Sequence, residues 1–328
     1  MKRIQLFVLA AAGLVCAASS AYAAEFPSRT IEMVPAGNPG GGLDLVARAL
    51  ESALRDEKLF SEKFVINNMG GAGGNLAKNY IHQKKGNPNF LYIESNRIYT
   101  NRIVGTTPLT YTDVTPIARL ITEYLVWGVL ADSPYKSAKD ILAKVKADPG
   151  SVTFGVGTVP SNDQMNILRA AMTQAIDPKQ VKIVSFKAGG DLMIQLLGGH
   201  VPVISTGLSE AMEQARAGKV RLIAISAPEP ISGDFANVPT WRSMGIDLTI
   251  LHWRGLFAPP GIPAEAVKYW DQTLPKLVKS DSWKKILTKY QWFDAYAGSA
   301  EFRKELAEEN KNYEQILTQL GMAKGLKK

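Results

Sequence analysis

The chain has 328 residues, a formal net charge of +8, three histidines and a single cysteine. Its basic residues cluster no further than pairs such as Lys84-Lys85 and Lys284-Lys285, which excludes a contiguous nucleic-acid-binding tract. One cysteine excludes a disulfide framework, and His82, His200 and His252 lack metal-ligand spacing, so neither metal nor cofactor is expected.

In chain order, Lys2 and Arg3 precede the apolar run "IQLFVLAAAGLVCAA", and Ala21-Tyr22-Ala23 supplies a small-x-small site. This layout predicts a signal peptide over residues 1–23, cleaved after Ala23 and carrying Cys16 away. No later stretch is long and apolar enough to span a bilayer, so an exported, soluble mature chain is expected.

Short β-rich runs then alternate with helical patterns. Strands are predicted at 30–34, 63–66, 90–93, 152–154, 181–185, 201–204 and 220–226. Leu45, Val46, Ala49, Leu50, Ala53 and Leu54 form one apolar helical face; Met165, Leu168, Met172 and Ala175 form a second. Leu192, Met193, Leu196 and Leu197 form a third, stopped by Gly198-Gly199. Towards the C-terminus, Val267, Trp270, Leu274 and Leu277 suit one helix, and Ser299 caps another that ends before Gly321. The alternation predicts an α/β fold with mostly parallel sheets flanked by helices, in two domains without a linker between them.

Four predicted strand-to-helix turns are rich in glycine and small polar residues: "NPGGGLD", "NMGGAGGN", "FGVGTVPSND" and "FKAGGD". Glycine lets a ligand approach bare amides closely, and helix N-termini offer unpaired N–H groups to anions. Four such turns together point to a shared anion-binding cleft. Arg97 and Lys187 are the cationic candidates beside it. Asp44 is open between capping its own helix and contacting a ligand hydroxyl, ammonium or water. Enzyme motifs are not met: Gly218-Lys219 is followed by Val220 rather than Ser or Thr, and Gly155-Val156-Gly157 reaches Pro160 rather than a third glycine. Gly207-Leu208-Ser209-Glu210-Ala211 misses the last glycine of a nucleophile elbow, and Ser209 reads as the cap of the helix carrying Met212 and Ala215. No catalytic residue is expected.

"PGGGLDLVAR", "NNMGGAGGNLA", "DPGSVTFGVGT", "SFKAGGD" with "LLGGHVPV", and "NVPTWRSMG" with "WRGLFAPPGIP" follow one another along nearly the whole mature chain. In that order they resemble the periplasmic substrate-binding proteins of tripartite tricarboxylate transporters. The resemblance implies a two-lobed Venus-flytrap fold of the type II periplasmic binding protein kind. Residues 24–124 plus 228–328 would form domain 1 and residues 125–227 domain 2, with the ligand cleft between them. It implies a monomer in the periplasm that binds a small carboxylate and delivers it to membrane permease subunits, with no chemistry and no nucleic acid. Tricarboxylates such as citrate lead, with dicarboxylates and aromatic carboxylates also in the class. Carried over by position, the ligand-binding residues would be Gly41, Gly42 and Asp44, then Gly73, Gly74 and Asn75, then Ser95 and Asn96, then Thr158, Ser161 and Asn162, with Lys187 added as a cation. The chain departs from the family pattern at Asn38, Met69-Gly70, Val156 and Arg242-Ser243, which changes the pocket's shape and polarity. The rival readings are an exported serine hydrolase using Ser209 and a ligand receptor for a sensor kinase.

Overall fold

The computed structural model describes Phe26, Pro27, 29–186 and 189–327. The leader, its cleavage site and Lys187 fall outside those residues. In chain order the elements are β1 (Ile31–Pro35), α1 (Gly42–Asp56), β2 (Phe64–Ile66), α2 (Asn75–Gln83), β3 (Phe90–Glu94), α3 (Arg97–Val104) and β4 (Thr115–Leu130). Next come α4 (Ala138–Ala147), β5 (Thr153–Val156), α5 (Asn162–Thr173), β6 (Lys182–Ser185), α6 (Gly189–Leu197), β7 (Val203–Gly207), α7 (Leu208–Arg216) and β8 (Val220–Ile225). The chain ends with β9 (Leu251–Ala258), α8 (Ala264–Val278), α9 (Asp281–Tyr290), β10 (Phe293–Gly298) and α10 (Ser299–Gln319).

The helices follow their apolar spacing. Val46, Ala49, Leu50, Ala53 and Leu54 line the buried face of α1, with Asp44 in its first turn and Arg55 in its last, matching the helix dipole. Leu192 and Leu196 bury α6, which stops at Gly199 in the left-handed region. Met172 and Leu197, counted into apolar faces from spacing alone, are 38% and 37% exposed. Two capping expectations are corrected. The N-cap of α7 is Gly207, and that of α10 is Gly298. Ser209 and Ser299 lie just inside their helices and bond carboxylates instead, Glu123 and Asp271 respectively.

The strand order is β2-β1-β3-β9-β4-β7-β5-β6, with β8 and β10 also pairing β4. The outer ladders β1–β2, β1–β3, β5–β6 and β5–β7 are parallel, as the strand–helix alternation requires. The centre is antiparallel. The long β4 pairs β9 and β10 as far as Tyr124 and pairs β7 and β8 from Leu125 onward. One strand thus belongs to two sheets, and the polypeptide passes from one to the other at Tyr124-Leu125. Trp127, just beyond that point, packs between Phe154 and Trp241 at ring distances of 5.0 and 4.7 Å.

β4, β9 and β10 were not among the predicted strands. The apolar runs of β4 and β9 are interrupted by Arg119, Glu123 and Arg254. In the fold each charge has a partner: Arg119 donates to Ala295 O at 2.6 Å and pairs Glu305 at 3.0 Å, and Arg254 pairs Glu123 at 2.7 Å. Strands β1, β3, β5 and β7 each lead directly into a helix, and their carboxyl ends meet in one place, on both sides of β4.

Candidate functional site

The meeting place is a cavity of about 60 Å³. The β1–α1 exit contributes Gly41, Gly42 and Leu43, the β3–α3 exit Ser95 and Arg97, and the β5–α5 exit Thr158, Ser161 and Asp163. Gly189 at the start of α6, Glu210 on α7, and His252 and Arg254 on β9 complete the wall.

The glycines are there because charged groups lie against them. A side chain at Gly42 would put its Cβ 2.5 Å from Arg254 Nη2, and one at Gly189 would lie 2.2 Å from Glu210 Oε1. Such contacts are shorter than real carbon contacts allow. The glycine-rich turns therefore admit a charged network, and they leave the first N–H groups of α1 open to it.

Two buried ion pairs underpin the cavity. Arg97 Nη2 lies 2.7 Å from Glu94 Oε1 and also donates to Ala36 O at 2.9 Å. Arg254 Nη2 lies 2.7 Å from Glu123 Oε1, and both residues are buried. The other oxygen of Glu123 accepts from Ser209 N at 3.2 Å and Ser209 Oγ at 2.6 Å. Burial raises the Glu123 carboxyl above its ordinary value despite Arg254. Glu210 accepts from Gly42 N at 2.7 Å and from Thr206 Oγ1 at 2.6 Å, so the α1 amide already holds a carboxylate.

Asp163 is the least compensated group. Burial first, then the Glu210 carboxylate, push it up to about 8, and its Oδ1 has no hydrogen-bond partner among the described residues. His252 is held well below its usual range by burial and by Arg254, so its ring is neutral. Its Nδ1 therefore accepts from Asn162 Nδ2 at 3.2 Å.

The expected site residues divide into two groups. Gly41, Gly42, Ser95, Thr158 and Ser161 line the cavity. Gly73 lines a separate hollow of about 410 Å³ together with Asn38, Val159 and Phe186, which Thr158 also borders. The others are held away from the cavity by structural bonds. Asp44, in the first turn of α1, turns back to accept from Gly40 N at 2.9 Å and Arg48 Nε at 3.0 Å. Gly74, at φ +90°, leaves room for Glu94, whose Oε2 would lie 2.6 Å from a Cβ there. Asn75 accepts from Asn101 Nδ2 at 2.8 Å, and Asn96 is buried at the N-cap of α3. Asn162 donates to Leu251 O at 3.2 Å and accepts from the Tyr313 hydroxyl, tying α5 to β9 and α10.

Residue-type reasoning missed Asp163, Glu210, His252 and Arg254. Three of the four are charged groups that composition assigns to solvent. Arg254 stands inside the quoted "WRGLFAPPGIP", so its position was visible but its role was not.

Ser209 has no histidine partner among the described residues. Its hydroxyl donates to a carboxylate already paired with Arg254. Ser209→Ala is expected to lower stability by about 1.5–3 kcal/mol, the worth of a hydrogen bond to a charged group. Urea unfolding checks the loss, and an assay with p-nitrophenyl esters should register no turnover in either protein.

Beneath the cavity, Lys78 Nζ donates to Arg97 O at 3.1 Å and Ile98 O at 3.0 Å. Burial lowers its pKa from 10.5 to about 8. Between those values the unfolded chain holds a proton that the folded chain does not, so Lys78 makes stability rise with pH. The full effect is about 3 kcal/mol. Lys78→Met should remove the rise seen in melting temperatures measured at pH 7.5 and 9.5.

Among the described residues no cluster of His, Cys, Asp or Glu could hold a metal ion, and no helix is long and apolar enough to cross a membrane.

The family model described as "Tripartite tricarboxylate transporter family receptor" matches residues 46–322. A UPF0065 protein of Cupriavidus necator, from a gbd 5' region, is 28% identical over 318 residues, covering 96% of this chain and 94% of its own. A solved structure titled as a periplasmic transporter superposes with a TM-score of 0.82 at 25% identity, covering 92% of this chain and 99% of that one. MatC from Rhodopseudomonas palustris, solved with bound malate, gives a TM-score of 0.79 at 23% identity, covering 89% of this chain and 100% of its own.

Proposed function

This chain belongs to the tripartite tricarboxylate transporter receptor family, and from that premise we propose that it is a periplasmic receptor that captures a small carboxylate and delivers it to a membrane permease. Its fold is the two-lobed α/β fold of periplasmic binding proteins. The lobes are 24–124 with 228–328, and 125–227. The change of partners along β4 at Tyr124-Leu125 supports that division.

The observation that carries this reading is the Gly42 amide on a cavity shared with Arg97 and Arg254, where it already donates to the Glu210 carboxylate. The Arg254 guanidinium on that wall is only partly satisfied: Nη2 pairs Glu123, and Nε has no partner among the described residues. MatC, with the same fold, holds malate. Groups from both lobes line the cavity, so a ligand there favours the closed arrangement of the two.

A thermal-shift panel of citrate, malate, succinate and benzoate tests the proposal. A ligand at a hundred times its Kd adds about 2.7 kcal/mol, which for a chain of this size raises Tm by about 5–10 °C. Failure of every carboxylate to shift the transition would contradict it.

A further inference from the structure

The charges on the cavity wall do not balance. Its two cations, Arg97 and Arg254, are each paired with a carboxylate that does not line the wall, Glu94 and Glu123. Its two acidic side chains, Asp163 and Glu210, are not paired with any cation among the described residues. Asp163 is only 9% exposed, and its Oδ1 is without a donor. Arg254, 4% exposed and on the same wall, has its Nε without an acceptor. One cavity is thus lined by two residues, one from each proposed lobe, that carry a buried acceptor without a donor and a buried donor without an acceptor. Each is costly to bury unless something arrives to satisfy it.

We propose that the ligand is zwitterionic: a small carboxylate that also carries an ammonium group, its carboxylate taken by the Arg254 guanidinium and its ammonium by Asp163 and Glu210. This rests on the carboxylate-receptor reading above and narrows its substrate class. A plain dicarboxylate would bring its negative charge against the Glu210 carboxylate and would supply no donor to Asp163 Oδ1. An ammonium supplies three donors and the missing positive charge. The charged groups facing Asp163 are Glu210 from α7, Arg254 from β9, Glu123 from β4 and Arg97 from α3. With Asp163 pushed up to about 8, the empty cavity holds a proton there at neutral pH, and an arriving ammonium displaces it.

Succinate, L-malate and L-aspartate carry a hydrogen, a hydroxyl and an ammonium at the same carbon, and they form the test series. Isothermal titration of the full mature protein at pH 7, in two buffers of different ionisation enthalpy, should show L-aspartate binding at least about tenfold more tightly than succinate or L-malate, with proton release. Asp163→Asn and, independently, Glu210→Gln should each remove that preference by weakening L-aspartate about tenfold while leaving succinate unchanged or tighter. Glutamine keeps an oxygen for the Gly42 amide, so that variant stays informative if the asparagine variant folds poorly. Succinate or L-malate binding as tightly as L-aspartate, or a preference that survives both substitutions, would overturn the proposal while leaving the carboxylate receptor intact. No binding by any of the three in the titration, together with no carboxylate in the thermal-shift panel, would remove both.

Discussion

Asp163→Asn is expected to stabilise the ligand-free protein at pH 7.5. Burial and Glu210 raise this carboxyl from 3.8 to about 8. Below pH 4 the folded and unfolded chains both carry the proton. Between pH 4 and 8 only the folded chain carries it, so unfolding releases a proton and stability falls as pH rises across that window. A shift of this size is worth at most about 5 kcal/mol. Half of that, removed by an uncharged isostere, raises Tm by about 5–10 °C. Melts of the two proteins at pH 4.5 and 7.5 should converge at the lower pH and separate at the higher one. Equal melting temperatures at pH 7.5 would mean that Asp163 is solvated and pays no burial cost. A residue that weakens the empty fold is typical of a binding site, where the ligand restores what the fold gives up.

The second large effect belongs to Arg254. Arg254→Met leaves Glu123 buried without its cation, and breaking a buried pair from one side costs about 3–5 kcal/mol. For a chain of this size Tm should fall by about 6–20 °C. Pairing the change with Glu123→Gln removes the orphaned charge, and most of the loss should return, because replacing both members of a buried pair is often close to neutral. Ligand affinity should not return with it, since Arg254 supplies the free donor on the cavity wall. The double variant therefore separates the stabilising role of the pair from the binding role of the arginine. Recovery of both stability and affinity would assign Arg254 to the scaffold alone.

The outer, parallel parts of the fold were legible in the sequence because they obey simple periodicity. β1, β3 and β8 are apolar runs, and α1 repeats every three to four residues. The centre was not legible, because β4, β9 and β10 carry charges whose partners lie far away in sequence. Glu123 meets Arg254 across 131 positions, and Arg119 meets Ala295 O across 176. The site shows the same division. Glycine turns mark where strands end, so Gly41, Gly42, Thr158 and Ser161 could be found from local pattern. Asn75 and Asn162 share that pattern and yet face structural partners, because sequence position fixes a residue's loop and not the direction of its side chain. Asp163 and Glu210 stand inside stretches quoted above, yet neither was singled out, because each looks like an ordinary first-turn acid complementing a helix dipole.

The most direct measurement is a crystal structure of the protein grown with L-malate or L-aspartate. The expected result is an intact ligand in the cavity between the β1–α1 and β5–α5 exits, with a carboxylate oxygen within about 3 Å of the Arg254 guanidinium. A ligand lodged instead in the hollow beside Gly73, touching neither Arg254 nor α1, would contradict it, as would a carbon skeleton that has been cleaved.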